Sequence, residues 1–311
     1  MLGGIDIGGT KIGVCVGGHD GVVLASDRLE TQPHHDGPQQ LRAALERMRA
    51  LASDAGGSIE RMGVSTPGPY DRRSRTLLEP PNMPGWHGLE LGAFFDAESD
   101  VPVRIMNDAN AASMAEWQWG GHGMVSTLAF LTMSTGFGAG IVVEGVPLEG
   151  RHGFAGEVGR IVLSEFGPVG FGAMGTVEGF LSGPGMTQLA HAEALRCRQS
   201  GEPTALLGDE VLSPEVLCRH AKTGDPGAVR VTTTVAHKLG ELVAILGNVL
   251  EPDAVVLGTI GAAAPELFIP PAMEVVRDRC VSQTASRLQL VPSTLQDRGN
   301  AAALAAATLE S

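Results

Sequence analysis

GIDIGGTKIGVCV, residues 4–16, sets two short apolar runs on either side of a turn made of Gly8, Gly9 and Thr10. Runs of this length broken by glycines read as strand, turn and strand. GVVLASDRLE (21–30) enters through the Asp20-Gly21 turn as a third run, and three in succession predict an antiparallel meander opening a sheet. The pattern returns at 126–145, where STLAFLTM and AGIVVEG are joined by the polar, glycine-rich STGFG. A strand, Gly/Thr turn and strand that occurs twice predicts two halves of related design, each carrying a phosphate-sized turn.

Around these two stretches the chain alternates helix and strand patterns. Leu41, Ala44, Leu45, Met48, Leu51 and Ala52 recur at three- and four-residue spacing and mark a helix with one buried face. RMGVSTPG (61–68) and VPVRIMN (101–107) read as strands, and the second runs into a helix opening at Asp108. Val231, Val235, Leu239, Leu242, Val243, Leu246 and Leu250 mark one long helix stopped by Glu251-Pro252, followed by a buried-strand candidate in DAVVLG (253–258). GEPTALLGDEVLSP (201–214) reads as a loop or insertion, and NAAALAAATLE (300–310) as a terminal helix.

The 311 residues suggest two domains at roughly 150 residues each. A 43% hydrophobic share supplies a core, and 22 Lys+Arg against 35 Asp+Glu gives a net charge of −13. That balance lacks the cationic footprint of nonspecific nucleic-acid or anionic-membrane binding. Trp117 to Val143 carries no formal charge, but six glycines interrupt it, so it reads as strands and turns rather than a membrane span. Cys15, Cys197, Cys218 and Cys280 form no Cys-x-x-Cys pair, and reduced thiols fit them best. With no basic region leading into an apolar stretch at MLGGIDIGG, a cytoplasmic protein is expected.

Several loops hold residues with chemical potential. DIGGTK places Asp6 at a strand end beside glycines whose backbone N–H groups can approach an anion, followed by Thr10 and Lys11. The combination suits a metal-phosphate group; an ordinary glycine hairpin is the other reading. STGFGAG (134–140) offers two hydroxyls and three glycines. MNDANAA (106–112) puts Asn107 and Asp108 where a strand gives way to a helix, so that Asp108 either faces a cleft or caps the helix. Glu157, Arg160 and Glu178 lie in glycine-rich surroundings as site candidates or as surface charges. Gly170, Gly172 and Gly175 match Gly-x-Gly-x-x-Gly, yet EFGPVG interrupts the strand that a dinucleotide fingerprint needs, so the match is set aside. The scattered histidines give no metal-ligand spacing.

Taken in order, DIGGTK, STPGPYD (65–71), PNMPGW (81–86), MNDANAA, STGFGAG, GFAGEVG (153–159) and EPDAVVLG (251–258) resemble the ROK family of repressors, open reading frames and sugar kinases, and the likeness continues to DRGNAAALAAA (297–307). The resemblance implies the actin-like, hexokinase-type α/β fold, two ribonuclease-H-like domains around a cleft. The expected small domain covers 1–115, completed by a C-terminal helix at about 297–311, and the larger one 116–296. It also implies ATP-dependent phosphorylation of a hexose, usually at carbon 6, with glucose, a related aldohexose or an N-acetylhexosamine as acceptor. Asp108 then matches the general base, and Asp6 the carboxylate near the Mg²⁺ of the nucleotide. Gly8, Gly9, Thr10 and Lys11, with Thr135, Gly136 and Gly138, resemble two phosphate turns, and Gly258 falls in the motif beside the adenosine. Gly68, Asn82, Asn107, Asp108, Glu157 and Glu178 match sugar-binding positions. A homodimer is implied as well.

Two departures stand out. Family members commonly carry a structural zinc site where this chain has Arg160, Val169, Phe171 and Thr176, so no zinc is expected and the loop must be held by packing, with Val169 and Phe171 as apolar candidates. Arg160 is then a partner of Glu157 or Glu178, or a sugar contact. In LGTIG (257–261), Thr259 and Ile260 replace a usual run of glycines and put bulk near the expected nucleotide site. A sugar-binding sensor or regulator of the same family is the alternative function.

Overall fold

The structure is a computed structural model that describes residues 1–123, 125–208 and 211–310. The expected meander forms from β1 (Leu2–Ile7), β2 (Lys11–Gly17) and β3 (Val23–Glu30), antiparallel in sequence. β1 is buried along nearly its whole length, whereas β3 at the sheet edge alternates half-buried with exposed residues, as a strand with one solvated face does. α1 (Gly37–Asp54) buries the predicted stripe from Leu41 to Ala52 and has a proline in its first turn, where no N–H is needed. β4 (Arg61–Thr66) then runs parallel to β1 and sets Ser65 opposite Asp6. A short hairpin, β5 (Tyr70–Asp71) and β6 (Thr76–Leu77), leads to α2 (Leu91–Glu98), β7 (Val103–Asn107) and α3 (Asp108–Trp119). The sheet order is β3-β2-β1-β4-β7, and β7 is parallel to β4.

The second strand pair is β8 (Thr127–Met133) and β9 (Phe137–Val143), followed by β10 (Val146–Pro147) and a hairpin of β11 (Val169–Gly170) and β12 (Ala173–Met174). Helices α4 (Val177–Leu181), α5 (Gly183–Ser200), α6 (Pro214–Lys222) and α7 (Pro226–Leu250) come next. The long α7 starts on Asp225, whose side chain accepts from the Ala228 N–H, and ends at Glu251 in a left-handed conformation before Pro252. β13 (Ala254–Leu257), α8 (Thr259–Ala263), α9 (Pro265–Arg279), α10 (Ser282–Ala285), β14 (Gln289–Pro292) and α11 (Arg298–Thr308) complete the chain. This sheet has the order β10-β9-β8-β13-β14, with β13 parallel to both β8 and β14. The segment read as a loop at 201–214 contains a 3-10 turn at Ala205–Leu207; Asp209 and Glu210 of that segment lie outside the described residues.

By contacts the chain divides into one unit of Met1–Gly123, Gly140–Gly156 and Leu295–Ser311 and another of Met124–Ala139 and Glu157–Thr294. Residues 140–156 group with the first unit, whereas the reading from sequence puts them in the second domain. The core of the first unit lies between its sheet and α1, with Ile5, Val14, Met48, Val64, Trp86 and Phe95 among its members. On the sheet's other side α11 packs its alanines against α3 and β4. Small residues let the backbones meet there: a Cβ on Gly63 would collide with the Ala303 carbonyl and the Ala307 amide of α11. Among the described residues no helix is long and apolar enough to cross a membrane.

Candidate functional site

In the first unit the candidates gather at the carboxyl ends of β1, β4 and β7, the end of an α/β sheet where ligands bind. The turn between β1 and β2 is closed by the Gly8 N–H donating to the Lys11 carbonyl at 2.9 Å. Thr31 ties it from behind, its hydroxyl donating to the Gly8 carbonyl at 2.7 Å and its N–H to the Thr10 carbonyl at 3.1 Å. Gly9, Thr10 and Lys11 are left exposed. The nearest atom that a Cβ on Gly9 would meet is Met83 Cγ at 3.9 Å, so the turn stays open to a ligand and the loop carrying Asn82 comes close to it. Asn82 itself is exposed and left-handed (φ 63°), a conformation asparagine tolerates. Gly68 lies in the loop that follows β4.

Asp6 sits inside this turn's base. Burial pushes its carboxyl above the ordinary carboxylate range; Asp297 adds to the rise, while the Ser65 hydroxyl and the Lys11 ammonium oppose it. Asp297 is a residue that sequence reasoning missed. It precedes α11 and accepts from Asn300 Nδ2 at 2.7 Å. Gly299 gives Asp6 its room, since a Cβ there would collide with the carboxylate. The signal was present in DRGNAA, an aspartate just ahead of a helix that returns to the first sheet.

Asn107, not Asp108, caps α3. Its side-chain oxygen accepts from the Ala109 N–H at 3.0 Å, and Asp108 is the first helical residue, exposed, with Oδ1 2.8 Å from the same N–H. The reading of Asp108 as N-cap therefore moves by one residue, because the asparagine ahead of it already has the extended backbone that a cap requires.

In the second unit, the 134–138 turn is held on three sides. The Ser134 carbonyl accepts from the Gly183 N–H at 2.8 Å, the Met133 carbonyl from the Thr259 hydroxyl, and the Phe137 N–H donates to Glu178 Oε2 at 3.1 Å. Thr135 at its tip is exposed. Glu178 is 8% exposed, and burial raises its carboxyl pKa against the backbone N–H groups of Phe137 and Phe171 and the charge of Arg160. Glu157 precedes a 3-10 turn, Val158–Arg160, whose last residue is Arg160, and both charged residues are exposed.

Arg160 makes no ion pair with Glu157 or Glu178 among the described residues. Its guanidinium lies over the Phe171 ring, 4.6 Å from the centroid. Nor is the 160–176 loop held by packing of Val169 and Phe171, each 46% exposed. Hydrogen bonds hold it: Gln188 accepts from the Val169 N–H and donates to the Val169 carbonyl, both at 2.9 Å, and the Val177 N–H donates to Ile161 O at 2.8 Å. The glycines at 170, 172 and 175 belong to the β11–β12 hairpin, without the strand-turn-helix setting of a dinucleotide site.

Gly258 precedes α8, and Thr259 stands left-handed (φ 42°), a strained backbone for a β-branched residue. Ile260 does not simply block this region; with Ala263, Ala264, Pro214, Cys218 and Arg219 it lines a cavity of about 380 Å³. A larger cavity of about 710 Å³ beside α1 lies at the amino ends of β4 and β7, away from every candidate residue. Among the described residues no three His, Cys, Asp or Glu side chains are arranged to hold a metal.

A family model described as "ROK family" matches residues 2–310. An N-acetylmannosamine kinase of Escherichia coli is 32% identical over 261 residues, 83% of each chain. The xylose repressor of Caldicellulosiruptor bescii is 28% identical over 301 residues, 95% of this chain and 74% of that one. Among solved structures, a ROK family glucokinase from Streptomyces griseus in complex with glucose and AMPPNP superposes with a TM-score of 0.77 at 28% identity, covering 99% of this chain and 98% of that one. The fold is accordingly the actin-like, hexokinase-type α/β architecture.

Proposed function

We propose, from the premise that this chain belongs to the ROK family, that it is an ATP-dependent sugar kinase transferring the γ-phosphate to a hexose hydroxyl at carbon 6. Its acceptor is glucose, a related aldohexose or an N-acetylhexosamine. One observation carries the reading: Asp108, the first residue of α3 with Asn107 ahead of it as the N-cap, is exposed at the carboxyl end of β7. A carboxylate so placed can accept the proton of an attacking hydroxyl. The kinase relatives support the same reading.

In this proposal Gly68, Asn82, Asn107, Glu157 and Glu178 supply hydrogen-bonding groups to a polyol, and Arg160 adds fixed donors beside them. The exposed turn at Gly8, Gly9, Thr10 and Lys11 and the turn with Thr135, Gly136 and Gly138 receive phosphates, with Gly258 and the cavity behind Ile260 on the adenosine side. Asp6 and Asp297 fit Mg²⁺: both are hard oxygen donors, and a carboxylate that burial discourages from ionising is relieved by a cation. Bound with ATP, the metal supplies neutralisation of phosphate charge. The 160–176 loop holds without zinc in this account, through Gln188 and the Arg160–Phe171 contact. A homodimer in the cytoplasm remains part of the proposal.

A sugar-binding regulator or sensor is the second reading, favoured by the likeness to the xylose repressor. A coupled ADP-release assay with Mg-ATP over a panel of hexoses and hexosamines separates the two. Turnover of at least one sugar is expected; sugar binding, measured by calorimetry, with no ADP release from any member of the panel supports the regulator.

A further inference from the structure

Three glycine-rich loops of the second unit meet at one carboxylate. Glu178 is the second residue of α4, two positions after the Thr176 cap, and is buried. Its Oε2 accepts the Phe137 N–H of the 134–138 turn at 3.1 Å. A Cβ on Gly136 would stand 3.2 Å from Oε2, one on Gly170 3.0 Å from the Glu178 Cβ, and one on Gly159 3.6 Å from that Cβ and 2.5 Å from the Phe137 carbonyl. The turn at 134–138 and the β11–β12 hairpin thus close tightly on Glu178, and the 3-10 turn that contains Arg160 packs against the Phe137 carbonyl beside it.

Burying a carboxylate costs free energy that an apolar side chain of like size avoids. The hydrogen bond from the turn offsets part of that cost and gives the carboxylate a task besides meeting a sugar. We infer that Glu178 is a positioning residue for nucleotide binding, holding the 134–138 turn in its phosphate-receiving shape through the Phe137 N–H. The inference rests on the kinase reading, to which it adds a link between the sugar-side loops and the phosphate turn. With that link, a group on the sugar side tunes nucleotide affinity before any sugar is present.

The test uses the full chain, with Mg-AMPPNP titrated calorimetrically in the absence of sugar and amide hydrogen exchange followed across 134–139. Glu178→Ala leaves the Phe137 N–H without an acceptor and is expected to weaken AMPPNP binding roughly 10-fold, with faster exchange in the turn. Glu178→Gln keeps an acceptor oxygen at the same reach and is expected to stay within about 3-fold of wild type. Should Glu178→Ala not fold, Glu178→Asp, one methylene too short, replaces it with the same expected loss. Wild-type affinity and exchange in the shortened variants, or a loss in Glu178→Gln as large as in Glu178→Ala, would overturn the inference and leave the kinase reading standing. Failure of wild-type protein to bind AMPPNP at all would instead overturn the kinase reading and the nucleotide role together, while the exchange data would still report whether Glu178 holds the turn.

Discussion

Asp6 shows how a residue can be legible by position and not by environment. DIGGTK announces a carboxylate at a strand end beside a glycine turn, but Asp297, which adds to its raised pKa, lies 291 positions further along the chain. Because the folded-state pKa is raised above the ordinary 3.8, the stability Asp6 contributes is fully present below that value and is lost as pH rises through the folded one. At neutral pH Asp6 is therefore a liability to the fold. Asp6→Asn should raise the melting temperature of the ligand-free protein at pH 7, by about 2–4 °C if the relief is about 1 kcal/mol, while Mg-nucleotide affinity falls. The gain should vanish near pH 3.5, where both proteins carry a neutral side chain. A melting temperature lowered at pH 7 would contradict this assignment. Which residue caps α3 is hidden in the sequence for a related reason: Asn107 and Asp108 are both good capping residues, and only the backbone says which of them has left the strand without yet entering the helix.

At the scale of elements, long periodic patterns were readable and short, hydrogen-bonded loops were not. α1 and α7 follow from three- and four-residue spacing, and the opening strands from apolar runs between glycines. The 160–176 loop offered no such pattern. Val169 and Phe171 look like core residues by composition, yet the loop is fastened by Gln188, an exposed-helix residue type whose clamp on Val169 leaves no trace in the sequence. Gln188→Ala removes both hydrogen bonds and should destabilise the hairpin by about 1–2 kcal/mol, taking roughly 0.5–1.5 kcal/mol for each bond with partial replacement by water. Limited proteolysis or hydrogen exchange across 163–175 would show it, and unchanged protection there would assign the hairpin's order to the Arg160–Phe171 contact instead.

Over the whole molecule, the repeated strand-turn-strand pattern predicted two sheets of related design, and the described residues form two five-stranded sheets. What the sequence did not reveal is that residues 140–156 pack with the first unit, because their partners are far away along the chain: Glu149 pairs with Arg104 at 2.5 Å, and the His152 carbonyl accepts from the Arg72 N–H at 2.9 Å. The terminal helix was legible as a helix, and its alanines acquire their reason in the close approach to Gly63. Gly63→Ala should cost the first unit about 1–3 kcal/mol or more through overpacking, since backbone atoms of α11 cannot swing aside as side chains do; a denaturant titration measures it, and wild-type stability would contradict the packing described.

The central claim, that Asp108 is the base of a sugar kinase, is tested most directly by comparing Asp108→Asn with wild type in sugar binding by calorimetry and in ADP release with the preferred sugar. The variant should fold and bind the sugar, because Asn107 supplies the helix cap, while turnover falls on the order of 10²- to 10⁴-fold. Turnover by Asp108→Asn at the wild-type rate would contradict the claim.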